Sequence, residues 1–173
     1  MGDDEPQPLE LNALYAIIEQ VIRDRITGLE FVEFWPAGLP SIPLPAVLLE
    51  MPEFEPGIDD GTGCTALVAR FEARCVVGSE VHEPEKQACH IATQLAVLLH
   101  GQYWQGSGLD AAELVQAVQD WTKPELDGYI VWLVEWTQPI KLGEEEWPWP
   151  DNPPATLTLG PGDDAADIAG VFP

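Results

Sequence analysis

Positive charge is what this chain has least of. Seven lysines and arginines stand against 30 aspartates and glutamates in 173 residues, a net charge of −23. Such a surface repels phosphate backbones and anionic membranes, so nucleic-acid binding along the outside is disfavoured. A role in which DNA passes without sticking remains compatible. Cysteine is also scarce: Cys64, Cys75 and Cys89 form no CxxC pair and are odd in number, which points to reduced thiols packed as small apolar residues. Long apolar runs are missing. Runs such as Ala46–Leu49 and Ile130–Val134 fall far short of the ~20 residues that a membrane span needs. The opening MGDDEPQP is acidic where a signal peptide is basic, and Pro6 stands where a myristoylation signal needs Ser or Thr. These features lead to the expectation of a soluble protein made in the cytoplasm, with no membrane partner.

Catalytic signatures are equally thin. There is no GxSxG elbow, and His82, His90 and His100 accompany no recognised cysteine motif. Cys89 and His90 are adjacent, so on a helix they diverge by about 100° and make a poor ligand pair. Asp59-Asp60-Gly61 lacks the alternating acids and distal Glu of a calcium loop. Gly61-Thr62-Gly63 precedes a strand, whereas a nucleotide loop follows one. The reading is a non-enzyme with no cofactor, no metal and no catalytic residue.

What the chain does have is 46% hydrophobic residues, enough for one domain with a real core. Its organising stretch is Leu126–Glu145, LDGYIVWLVEWTQPIKLGEE. After the Asp127-Gly128 turn, Tyr129–Gln138 is dense in aromatic and β-branched residues and reads as a strand. Ile130, Trp132, Val134 and Trp136 share one face, which must be covered by helices or another subunit. Leu11–Ile26 carries Leu11, Leu14, Tyr15, Ile18, Val21, Ile22 and Ile26 at helical spacing, with Gly28 at the expected C′ position. Leu29–Trp35 and Ala46–Met51 read as short strands. Between them lies a stiff loop with Pro36, Pro40, Pro43 and Pro45, and Pro52–Gly63 reads as a second loop.

Cys64–Val77 is the clearest period-2 segment. Leu67, Ala69, Phe71, Ala73, Cys75 and Val77 form its apolar face. Arg70 and Arg74, on the other, are expected across from Glu50 and Glu135 on the more open side of the sheet. Pro84 opens a helix to His100 with a buried stripe of Ala88, Ile91, Ala92, Leu95, Leu98 and Leu99. Residues 111–121 fit a helix or the first arm of a hairpin, and the strand is preferred. The order is αβββα and then a β-hairpin: an α+β domain over 9–149 with a mostly antiparallel sheet and two helices packed on one face. Residues 1–8 read as a mobile acidic lead and 150–173 as a flexible acidic tail rich in Pro and Gly. Ile18, Phe71, Leu95, Trp132 and Trp136 are the expected core. Phe31, Phe34, Trp35, Phe54, Ile58, Tyr103, Trp104, Trp147 and Trp149 are the candidates for a subunit or partner interface.

The strand ALVARFEARCVV, the helix ACHIATQLAVLLHGQYW with its LHGQ end, and LDGYIVWLVEWTQPIKLGEEEW together resemble the tail terminator (tail completion) proteins of long-tailed phages, in particular versions from Mu-like temperate phages and prophages. The likeness spans about Leu11–Trp149. It implies a homo-hexameric ring that caps the head-proximal end of the tail tube, stops elongation and meets the head–tail connector or stopper. The partners implied are the chain itself, the tail tube protein and the connector, with DNA passing through the lumen unbound. The location implied is the virion's head–tail junction. Alternatives are another neck or connector protein of the same fold, or a small acidic ligand-binding or enzymatic domain.

Overall fold

The computed structural model describes residues 9–37, 41–104 and 109–144, together with the backbone of residues 158–159 and 166–167. Its order is α1 (Leu11–Arg25), β1 (Phe31–Phe34), β2 (Ala46–Pro56), β3 (Thr65–Gly78), α2 (Pro84–Leu99), β4 (Glu113–Gln119) and β5 (Tyr129–Leu142), with a short antiparallel pair, β6 (Thr158–Leu159) and β7 (Ala166–Asp167), farther on. Strands β1–β5 form one sheet in the order β1-β2-β3-β5-β4, antiparallel except for the β1–β2 pair. This is the expected α+β architecture. Residues 113–119 are a strand and not a helix.

β3 and β5 pair without interruption from Thr65↔Leu142 to Gly78↔Tyr129. Both are internal, so each needs one face apolar enough to bury. Phe71 and Trp136, paired in register, stack with centroids 5.2 Å apart. α2 lies over β3, β5 and β4, and α1 packs on β1. Their buried stripes are Leu14, Ile18 and Ile22, and Ala88, Ile91, Ala92, Leu95 and Leu99. These close on Val47, Leu49, Phe71, Ala73, Cys75, Val134 and Trp136 in one core. Leu98 is only half-buried at its margin.

Helix ends follow simple rules. α1 places Arg23 and Arg25 in its last turn, where cations meet the negative end of the dipole. Gly28 adopts φ +83, but two residues beyond the C-cap Ile26 and not at C′, so it makes the following turn. Pro84 starts α2 as expected, and Gly101 at φ +66 reverses the chain after it.

Three expectations need correction. Pro52–Gly63 is not all loop, because β2 continues through Pro56 beyond a register shift between Glu50 and Glu53. The bulge absorbs Pro52, which could not donate to a regular ladder. Trp132 is partly buried beside the core, whereas Ile18, Phe71, Leu95 and Trp136 lie fully inside it. Trp104 is also fully buried and Phe34 nearly so, which removes both from the candidate interface.

Candidate functional site

The face of the sheet away from the helices is divided. At one end Ala46, Leu48, Val76, Leu126 and Val131 form a second apolar cluster, flanked by Phe31, Ile42, Leu44 and Tyr129. Phe31 is thus half-buried against this cluster. Beside it lies an ionic cluster. Glu72 stands opposite Glu50 on β2 and Glu135 on β5, and Gln116 on β4 continues the row. Like charges in register repel. Arg74, two residues along β3, compensates: its guanidinium meets Asp120 at 2.8 Å, Glu72 at 2.7 Å and Glu50 at 3.2 Å. Lys123 adds a contact to Glu50 at 2.8 Å, and Arg70 approaches Glu53 at 3.4 Å and Glu135 at 4.0 Å. Gln116 donates to Glu135.

Only Arg70 has a carboxylate partner directly across from it, Glu53, whereas Arg74 reaches its carboxylates away from its own ladder pairs. Directly across from Arg74 stand Leu48 and Leu133, and across from Arg70 stand Glu53 and Thr137. Arg74 is also not on an open side, since it is only 5% exposed. Burial opposes its charge, but the bonds from Asp120 and Glu72 outweigh that and hold it protonated. Burial likewise pushes the Asp120 carboxyl upward, yet bonds from Thr122 and Arg74 leave it below the usual carboxylate range. The cluster spends three of the chain's seven cations on one sheet face. With its donors matched to acceptors, it ties the segment after β4 to the sheet.

Chemistry-bearing side chains elsewhere are dispersed. His82, His90 and His100 are all exposed. Among the described residues, no group of three or more His, Cys, Asp or Glu is placed to hold a metal. Asp59 accepts from Gly61 N and Asp60 from Thr62, so these acids close turns; Asp60, bonded by Lys141 and Thr62, is held down at about 2. Among the described residues, no helix is long and apolar enough to cross a membrane.

The apolar surface is more informative. Trp35 is 51% exposed and adopts φ +44, a left-handed conformation unfavourable for a bulky side chain. Its ring stands edge-on to Tyr15 at 5.3 Å and lies 5.4 Å from Phe34, which in turn packs on Tyr15 at 4.6 Å. Of the expected interface residues, the structure brings Phe34 and Trp35 together. Phe54 (on β2, opposite Ala69 of β3), Ile58 and Tyr103 are exposed but lie on separate segments. Trp147 and Trp149 lie outside the described residues. A further exposed set was not singled out by sequence: Leu114, Val115 and Val118 on β4, and Trp121 just after it. Its signal is LVQAVQ, a charge-free run between Glu113 and Asp120 in a strongly acidic chain. Compared with protein-family models the chain matches none, and it matches no curated protein.

Proposed function

We propose that this chain is a ring-forming structural subunit, a tail terminator that caps the head-proximal end of a phage tail tube and meets the head connector. The observation that carries the reading is Trp35. A tryptophan held outside the core, in a backbone conformation that costs free energy, and braced by Tyr15 and Phe34, is pre-organised to bury itself in a neighbour. A ring requires heterologous contacts that close, and a fixed aromatic anchor supplies one half of such a contact. The order of elements, αβββαββ, supports the resemblance in the sequence. The net charge of −23 would let a lumen pass DNA without adhesion. Partners in this reading are further copies of the chain, the tube protein and the connector, and the site of action is the head–tail junction of the virion.

The test is mass measurement over a concentration series, with and without tail tubes. A species of six times the 19.0 kDa chain mass, alone or on tube ends, is expected. Trp35→Ala should abolish it while the chain keeps its melting midpoint. A wild-type chain that stays monomeric throughout, and virions with no density for it at the neck, would overturn the reading.

A further inference from the structure

Among the described residues, two stretches of the edge of the β1–β5 sheet are closed. Along β1, the outward Val32 carbonyl accepts from Arg23 Nη2 and the outward Phe34 N–H donates to Glu19 Oε1, both at 2.8 Å. The helix thus occupies the groups a partner strand would need. Where β2 runs past β1, it carries Pro52, Glu53, Glu55 and Pro56 and a register shift, which are devices that discourage strand pairing. β4 carries a register shift of its own between Leu114 and Gln116, but it has none of the other devices. Leu114–Gln119 contains no charge and no proline, and among the described residues nothing pairs with its outer side.

The direction of its backbone groups follows from the ladder. Asp120 N–H donates to Val131 O at 3.0 Å, so Asp120, and by alternation Val118 and Gln116, bond inward to β5. Ala117 and Gln119 therefore turn N–H and C=O outward. Leu114, Val115 and Val118 are 39–48% exposed and flank this edge, and Trp121 at 74% stands at its end.

We propose that β4 is a docking edge for an extended, positively charged segment of a different protein, which adds to the sheet as a sixth strand. Backbone bonds to Ala117 and Gln119 would supply register, and the apolar side chains would supply contact area. Charge selects the partner. Asp110, Glu113, Glu125 and Asp127 lie close to β4 in sequence at its two ends, and the nearby cation Lys123 is already paired with Glu50. A second copy would bring the same acids. Seven residues are also too short a strand to bury by themselves the about 1,000 Å² that joins two folded copies. The proposal does not depend on ring formation.

The probe is an acetylated peptide of about ten residues that alternates valine and threonine and carries lysines at both ends. Its control has glutamates in place of the lysines. At low salt the lysine peptide should bind at least about tenfold tighter by calorimetry, and it should slow amide exchange at Ala117 and Gln119. Ala117→Pro and Gln119→Pro each remove an outward donor that β5 does not use, so both should abolish binding and leave the melting midpoint unchanged. Four results would overturn the proposal: no binding of the lysine peptide, equal binding of the control, unaltered binding by a folded proline variant, or protection of the two amides before any peptide is added. The last would mean that the chain itself or a second copy already covers the edge. Should both proline variants fail to fold, exchange in the wild-type chain still decides.

Discussion

Trp104 donates its indole N–H to Gln138 Oε1 at 2.9 Å, with both side chains fully buried. Gln138 in turn donates to the Asp110 carbonyl. A single amide on β5 therefore gathers the segments that follow α2. Gln138→Leu should leave the Trp104 N–H without a partner in a dry site and destabilise the domain by about 1–3 kcal/mol. Trp104→Phe combined with Gln138→Leu should cost less than the sum of the two single changes. Denaturant unfolding of the three variants checks this.

The buried tryptophans differ in worth. Trp136 is fully buried between Phe71 and Trp104, and its own N–H has no partner among the described residues. Trp136→Ala should cost about 3–5 kcal/mol. Trp132 is only partly buried, so Trp132→Ala should cost distinctly less. Equal shifts in the urea midpoint would contradict the placement of these side chains.

Acid should weaken the domain through Asp120. Its carboxyl is depressed in the folded state, so the stability it contributes is present above the unfolded value of about 3.9 and is lost as pH falls through the folded one. Melting midpoints should decline below about pH 4. Asp120→Asn should start lower, because Arg74 loses a charged partner, and should show a flatter acid limb. An unchanged acid limb would remove Asp120 from the cause.

Thiol reactivity separates the cysteines. Burial pushes Cys75 up to about 12, and it is fully enclosed by the core, whereas Cys64 and Cys89 are half-buried. In native protein at neutral pH, Cys75 should resist a thiol reagent until the chain unfolds. Mass spectrometry of the labelled peptides gives the order directly.

Salt should favour self-assembly. Copies that each carry −23 repel one another at low ionic strength, and screening shortens that repulsion to about 8 Å at physiological salt. The proposed ring should therefore form at lower protein concentration as salt rises. Sedimentation at several ionic strengths would show the opposite trend if ion pairs held the subunits together.

Local pattern carries far in this chain. The alternation in Cys64–Val77 and Tyr129–Gln138, and the 3.6-residue spacing in both helices, are properties of neighbouring residues, and they mark the two central strands, both helices and the core-facing side of the sheet, whereas residues 111–121 fit a helix as well as a strand. Register, burial depth and edge exposure are relations between distant segments. Glu50 meets Glu72 only because a bulge sets how β2 slides along β3, and Arg74 is enclosed only because the segment after β4 folds back over it. Trp104, which looks in sequence like an exposed loop aromatic beside Tyr103, is interior because Gln138 offers its indole a partner there. No periodicity encodes such a meeting, since its free energy exists only once the chain has closed on itself.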